Sequence, residues 1–572
     1  MNVDTFLEQF GHLVDAPEGI KKLRELILNL AIRGKLVEQD PNDEPAKKLV
    51  ERIKSEKRAL IEQKVIKVSQ SHTLRNTGIE THSIPEGWVW ETLDEITSIG
   101  TGSTPSTGEL KYYKNGKIPW QTSSATGEDF ITKSDKFITD IALQECRLKI
   151  YPKGSLIVAL YGQGKTRGQV GQLMFDSTIN QACAGIAFFL ASEPIRDFIR
   201  LVFKKKYAEL RELAAGGAQP NLNGGLIRKT KVPIPPLNEQ KRIVAKVDEL
   251  MALCDALETQ QQQRQTVHGQ LTTASLHQLT TAETPRQLTK AWQRIDTQFN
   301  QLFTTKESIK QLRQTILQLA VQGKLVPQDP EDEPAENLLE RIKSEKQDLI
   351  KRKVIKVSKS HTLRDSGIET HSIPKGWEWE ILDEITNIGT GSTPSTGEPK
   401  YYKNGNIPWQ TSSSTGEDFI TKSEKFITDI ALKECRLKVY PKGSLIVALY
   451  GQGKTRGQVA QLMFDSTINQ ACAGIAFFPA SEPIRDFIRL VFKKKYDELR
   501  ELAAGGAQPN LNGGIIRQTK IPIPPLNEQK RIVVKVAQLM ALCDELELNL
   551  EMQKNNATNL STAMTASLLN VE

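Results

Sequence analysis

The chain has 572 residues, of which 38% are hydrophobic and 25% charged, with a net charge of +8. These are ordinary values for a folded protein of several domains, and the mild positive balance permits an anionic partner where the charge is clustered. No apolar run reaches the roughly 18 residues that cross a bilayer, and MNVDTFLEQFGHLVDAPEG lacks the basic start and apolar stretch of a secretory leader. A cytoplasmic protein with no membrane partner is expected. The six cysteines, at 146, 183, 254, 435, 472 and 543, form no CxxC pair and are expected as reduced, mostly buried thiols.

The chain repeats itself at an offset of 289: Trp88 matches Trp377, Tyr161 matches Tyr450, and Asn238 matches Asn527. Stretches 84–239 and 373–528 differ at 16 of 156 positions. The register begins near Leu23 and Leu312 and fades after Glu258 and Glu547. A period this long marks duplicated domains, not a solenoid of about 20 to 50 residues per repeat.

In chain order, Ile20, Leu23, Ile27 and Leu30 predict a short helix that Gly34 stops; Ile309, Leu312, Ile316, Leu319 and Gly323 repeat it. DEPAKKLVERIKSEKRALIEQK predicts a charged helix opening at its Asp-Glu-Pro. A polar stretch, 68–83, leads into a module at 84–236. That module mixes strand-like GSLIVALYG (154–162) and CAGIAFFL (183–190) with a helix over 193–214 and turn-rich segments. After VPIPPL, a long helix runs from Asn238, its predicted N-cap, with Glu239 in the first turn, to about 279, roughly 63 Å at 1.5 Å per residue. Ile243, Val247, Leu250, Cys254 and Leu257 give it a heptad seam that turns polar at Gln261, Arg264 and His268. The copy has Ile532, Val536, Leu539, Cys543, Leu546 and Leu550.

The expected organisation is a helical region (1–83), a first module (84–236), a central helical region (237–372) with a connector at 283–298, a second module (373–525), and a terminal helix (526–572). The fold class is α+β. Two globular modules are separated by two long helical regions, antiparallel and coiled-coil-like, with pseudo-two-fold symmetry. The order is circular: the last long helix lacks a successor and the first short helix lacks a predecessor, so those two should pair.

No catalytic or metal-ligating residue is expected. ALYGQGKT approaches the phosphate-cradling pattern, but Ala159 replaces its first glycine and RGQVGQLMF does not open a helix. Histidine is absent from 84–236 and 373–525, which removes the commonest general base and metal ligand. No His/Cys cluster and no DPPY-type methyltransferase tetrapeptide occurs.

A nucleic-acid reader fits better. Lys111, Lys114, Lys133, Lys136, Lys149, Lys153, Lys165, Arg167 and the lysine run 204–206 give the module a basic cast, although the run itself reads slightly better as a solvated helix face. Its turn-rich loops carry side chains that bond base edges or phosphates. Thr101, Ser103 and Thr104 lie in TGSTPS, and Gln121, Ser123 and Ser124 in PWQTSSATG. Tyr161, Gln163, Lys165, Thr166, Arg167 and Gln169 lie in YGQGKTRGQ, whose glycines allow close backbone approach to a ligand. Gln219, Asn221 and Asn223 lie in GGAQPNLNGG. The second module repeats them as Thr390, Ser392, Thr393, Gln410, Ser412 and Ser413. Tyr450, Gln452, Lys454, Thr455, Arg456, Gln458, Gln508, Asn510 and Asn512 complete the set.

The motifs TGSTPS, IPW, GKTRGQVGQL with GKTRGQVAQL, NQACAGI and IPPLNEQKRIV, each present in both halves, resemble the DNA-specificity subunits of type I restriction–modification systems. The resemblance covers nearly the whole chain. It implies two target-recognition domains that each read half of a split double-stranded DNA site, and helices that set the gap and dock two methyltransferase subunits. It also implies no catalysis in this chain. S-adenosylmethionine is bound by the partner, which methylates adenine N6, and motor-nuclease subunits join where cleavage occurs. Most members carry two dissimilar recognition domains. Two nearly identical ones imply a target that is an interrupted inverted repeat. The competing expectation is a stand-alone DNA-binding regulator with a coiled-coil spacer.

Overall fold

The computed structural model describes residues 13–66, 82–162, 165–213, 222–356, 371–451, 454–502 and 511–570. The chain divides into two compact units, Met1–Arg264 with Lys554–Glu572, and Gln265–Gln553.

In the first unit, helix α1 (Gly19–Ile32) buries Leu23, Leu26 and Ile27. Gly34 ends it in the left-handed region, at φ +68°, where a Cβ would also meet the Pro85 ring at 2.5 Å. Helix α2 (Ala46–Glu62) follows Pro45 and buries Leu49, Val50 and Ile53. Its Glu56 carboxylate accepts from the backbone N–H groups of Leu190 and Ala191, at 3.0 and 2.7 Å, tying the helix to the module.

The module opens with β1 (Val89–Thr92), α3 (Leu93–Ile96) and β2 (Ser98–Thr101). Strands β3 (Ile118–Gln121), β4 (Phe130–Ile131) and β5 (Phe137–Ile138) lead to α4 (Asp140–Glu145). Then come β6 (Leu156–Ala159), β7 (Val170–Leu173), β8 (Thr178–Ile179) and β9 (Cys183–Ala187). Helices α5 (Arg196–Leu213) and α6 (Gly224–Lys229) precede β10 (Lys231–Ile234). A five-stranded sheet has the order β2-β9-β6-β7-β4, a three-stranded one β5-β3-β8, and β1 pairs with β10. All pairs are antiparallel except β4 with β7 and β3 with β8. Every residue of β6 is buried, and α5 covers the sheet with Phe198, Val202 and Phe203. Burying each such side chain stabilises by about 1.5–3 kcal/mol.

Helix α7 (Leu237–Thr281) starts after only Pro235 and Pro236 beyond β10. Its cap falls two residues earlier than expected, at Pro236, whose carbonyl accepts from Gln240 N at 2.9 Å, and Asn238 lies in the first turn. Glu239 stands in the first turn, as expected. It is buried and accepts from the Trp88 indole N–H at 2.9 Å, which locks the strand β1 entry onto the helix start. The heptad seam Ile243, Val247, Leu250 and Cys254 is fully buried, in one core with α1. Arg24 of α1 reinforces that contact through Asp255 and Glu258, both at 2.7 Å.

In the second unit, the expected connector is itself helical. Helix α8 (Pro285–Thr297) carries a capping box in which Thr284 and Gln287 satisfy each other's backbone N–H groups. Helices α9 (Phe299–Leu302), α10 (Lys306–Val321) and α11 (Ala335–Lys351) follow. The second module repeats the first: β11 (Glu378–Ile381), α12 (Leu382–Ile385), β12 (Asn387–Thr390), β13 (Ile407–Gln410), β14 (Phe419–Ile420) and β15 (Phe426–Ile427). Next are α13 (Asp429–Glu434), β16 (Leu445–Ala448), β17 (Val459–Leu462), β18 (Thr467–Ile468) and β19 (Cys472–Ala476). It ends with α14 (Arg485–Lys494), α15 (Tyr496–Leu502), α16 (Gly513–Arg517), β20 (Lys520–Ile523) and the long helix α17 (Leu526–Asn570). The sheet orders are those of the first module.

Each unit is closed by the far end of a long helix. In the second, Thr273 of α7 donates to the Gln311 side chain of α10 at 3.3 Å, with Leu276 and Leu279 in the same core. In the first, Lys22 of α1 donates to Ser561 and Thr562 of α17, at 3.2 and 3.0 Å. Lys22 is the counterpart of Gln311, and Thr562 of Thr273, so the docking is the same. The pairing expected from the circular order is present.

Candidate nucleic-acid interface

The pairing of β2, β6 and β9 brings their loops to one end of the sheet, since Thr101 faces Ala184 and Ala159 faces Cys183. Backbone hydrogen bonds fuse these loops. Gly102 N donates to Cys183 O and Ser103 N to Ile179 O, both at 3.2 Å. Leu160 N donates to Ala182 O, and Asn180 N to Gln121 O, both at 2.8 Å. A Cβ on Gly102 would lie 2.0 Å from Ile179 O, so only glycine permits this approach. Gly224 brings the start of α6 alongside, where a Cβ would lie 2.9 Å from Thr101 Cγ2. The second module makes the same bonds from Gly391, Ser392, Leu449 and Asn469. The rim is therefore built largely by main chain, leaving side chains to differ in availability.

The sequence-predicted residues fall into distinct classes. Thr101, Ser124, Lys165, Tyr161 and their copies Thr390, Ser413, Lys454 and Tyr450 are exposed or nearly so; both tyrosines expose about 40% of their surface. Ser103, Thr104, Ser123, Thr166 and Gln169 are half-buried, as are Ser392, Thr393, Ser412, Thr455 and Gln458. Ser103 O accepts from the Trp120 indole N–H at 3.2 Å. Gln121 and Gln410 are buried and their amides are used internally, by Lys133 O at 3.3 Å and Ser423 Oγ at 2.8 Å. Asn223 and Asn512 spend their side-chain oxygens as helix N-caps, on Leu226 N at 3.0 Å and on Gly514 N and Ile515 N at 2.9 and 3.1 Å. Arg167 and Arg456 are half-buried at the base of their hairpin. Gln163, Gln219, Asn221, Gln452, Gln508 and Asn510 lie outside the described residues.

The hairpin between β6 and β7 has a defined base. Gly168 N donates to Ala159 O at 2.9 Å, with Gly168 at φ +85°. The Tyr207 hydroxyl of α5 donates to Lys165 O at 2.5 Å, as Tyr496 does to Lys454 O. In the second module a cleft of about 210 Å³ beside this hairpin is lined by Thr415, Gln458, Lys493 and Tyr496.

The basic cast narrows in three dimensions. Lys204 pairs with Asp129, while Lys205 and Lys206 pair with Glu209, so the run at 204–206 is a neutralised helix face. Lys111 is held by Glu145 at 2.7 Å. Lys149 is exposed but engaged, donating to Ser98 Oγ at 3.2 Å and lying 5.2 Å from the Tyr151 ring, and desolvation there lowers its pKa. Lys114, Lys133, Lys136, Lys153 and Lys165 remain exposed. Cys183 is fully buried, its thiol pushed up to about 12 by desolvation.

Sequence reasoning passed over Gln181 and Gln470. They sit exposed on the turn that joins the other loops. Their signal was a glutamine within NQACAGI, next to a strand.

Residues 85–265 and 374–553 match the family described as the type I restriction modification DNA specificity domain. The chain is similar to the specificity subunit of the type I restriction enzyme EcoEI of Escherichia coli. The two are 32% identical over 571 residues, covering 96% of this chain and 94% of that protein. It is also similar to the EcoAI specificity subunit of Escherichia coli, at 30% identity over 573 residues, with the same coverage. The crystal structure of the HsdS subunit from Thermoanaerobacter tengcongensis aligns over 86% of this chain and 98% of that one, at 17% identity and a TM-score of 0.41. The paired modules, each followed by a long helix and each matched by the family, make this chain a member of the type I restriction–modification DNA specificity subunits.

Proposed function

We propose that this chain directs a partner adenine-N6 methyltransferase to a split, inverted-repeat DNA site, each module reading one half. The observation that carries the reading is where the copies do not differ. Of the 16 differences, none falls on 101–106, 119–124, 161–170 or 179–183, the segments that form the loop rim. Two surfaces with the same side chains on the same backbone read the same bases. Catalysis and S-adenosylmethionine binding belong to the methyltransferase, two copies of which dock on the helices. Motor-nuclease subunits, where present, act on the unmodified site. The long helices set the distance between half-sites; two-fold readers space theirs by about one helical turn, roughly 34 Å, or multiples of it.

The test is modified-base sequencing of DNA from a methylation-free host that expresses the methyltransferase with and without this chain. A self-complementary, interrupted, adenine-methylated motif that requires this chain is expected. An asymmetric motif refutes the equal-reader argument, and specific DNA binding by the chain alone with no motif makes it a stand-alone regulator. Arg167→Ala with Arg456→Ala is expected to relax or abolish the motif while assembly with the methyltransferase persists, at about 1–3 kcal/mol per site. Unchanged methylation removes both arginines from the reading surface.

A further inference from the structure

We propose that Gln181 and Gln470 are specificity-determining residues that each read a base edge, an adenine by preference, one in each half of the target. The proposal rests on the DNA-reading function given above and names residues that function had not assigned.

Residues 180–183 form a tight turn closed by Cys183 N on Asn180 O at 3.1 Å, and the Asn180 side chain stiffens it by accepting from Ala182 N at 3.1 Å. Three neighbours grip this turn. Gly102 and Ser103 donate to it from one side, Leu160 donates from the hairpin, and Gln121 O accepts Asn180 N from β3. Every one of these bonds uses main chain, so the turn is a fixed platform.

Gln181 is the exposed side chain on that platform; its backbone N–H donates to Thr104 Oγ1 at 3.5 Å, while its side-chain amide has no hydrogen-bond partner among the described residues. Among the described residues, the other rim glutamines are committed or withdrawn: Gln121 is buried and bonded, and Gln169 is half-buried. Asn223 caps a helix. Gln470 repeats the arrangement, with Cys472 N on Asn469 O at 3.1 Å, Ala471 N on Asn469 Oδ1 at 3.1 Å and Leu449 N on Ala471 O at 2.8 Å.

A glutamine amide offers one donor and one acceptor side by side, which matches N7 and N6 of adenine in the major groove. A rigid turn lowers the ordering cost of the contact, and no internal hydrogen bond must break first. The exposed Tyr161 ring adjoins the platform, since its backbone N–H approaches Ala182 O at 3.4 Å.

The experiment uses the full chain with its methyltransferase, as the parent and as Gln181→Ala, Gln470→Ala and the double variant. It reads methylated motifs by modified-base sequencing and affinities on duplexes carrying each base at each motif position. The parent is expected to need adenine at one position per half. Gln181→Ala should lose that preference in one half only, and Gln470→Ala at the mirror position, with discrimination there falling roughly ten- to a hundredfold. An unchanged base preference in both variants overturns the proposal while leaving the motif, and so the proposed function, intact. A uniform loss across all sequences also overturns it, because that is the mark of a phosphate contact. No motif from the parent removes the proposed function and this proposal with it. Both glutamines are exposed, and a melting curve matching the parent's shows that the variants fold.

Discussion

Gly102→Ala should break the loop rim while leaving the hydrophobic core alone. Its Cβ would stand 2.0 Å from Ile179 O and 2.3 Å from Asn180 O, both main-chain atoms that cannot rotate away. Restoring an ordinary contact of about 3.5 Å requires the turn at 180–183 to retreat by about 1.5 Å. That stretches the 3.2 Å bonds from Gly102 N and Ser103 N past any useful length. Each contributes about 1 kcal/mol net, and more where the freed group stays buried, so a loss of about 2–4 kcal/mol is expected for the first module. Gly391→Ala should do the same in the second, where the Cβ would lie 2.0 Å from Ile468 O. Gly108→Ala is the internal control. It lies in the same loop region, nothing stands within 4 Å of its Cβ, and it should be silent or slightly stabilising. Calorimetry of the three variants, with duplex binding of each half-site, decides the matter. Gly102→Ala melting and binding like Gly108→Ala would refute the reasoning.

Two further expectations concern the junction between module and long helix. Burial holds the Glu239 carboxyl above the ordinary carboxylate range, with the Trp88 indole pulling it partly back. A raised carboxyl binds its proton more tightly in the folded chain, so its contribution is complete at low pH and is lost as pH rises through the raised value. Glu239→Gln keeps an acceptor for Trp88 and removes that loss. The melting-temperature gap between variant and parent should therefore widen in the variant's favour from about pH 4 to about pH 7, and a constant gap counts against it. Arg242 covers the Asp43 carboxylate at 2.8 Å, where the Asp43 side chain is only 5% exposed. Arg242→Ala strands that charge and should cost on the order of 2 kcal/mol in urea unfolding. Arg242→Ala with Asp43→Asn should recover most of it, and an additive double variant would show that the pair is not coupled.

The large features were legible because they rest on periodicity. The short-helix seam, the Gly34 stop, the heptad run from Ile243 to Cys254 and the 289-residue offset all appear where the spacing put them. The helix at 285–297 was missed although Thr284 and Gln287 spell a capping box, because its polar composition hid the narrow stripe of Ala291 and Ile295. Site residues were read by type, and type does not report burial. Gln121 reads as a base-edge donor, but its strand sits between two partners and its side chain faces the interior. Asn223 reads the same way and is a cap. Gln181 escaped notice because nothing local says that a turn beside a buried strand will stand at the meeting point of three loops.

The docking of α17 onto α1 also orders events during synthesis. The first unit takes residues from both ends of the sequence, while the second is one continuous stretch, 265–553. Lys22 emerges early but finds Ser561 and Thr562 only after the whole second unit has been made. At about 5–20 residues per second, the 539 residues between Lys22 and Ser561 represent roughly 27–108 s during which Lys22 lacks these two partners. The unit that starts first is thus completed last. A chain cut before residue 554 holds every residue of the second unit and lacks part of the first.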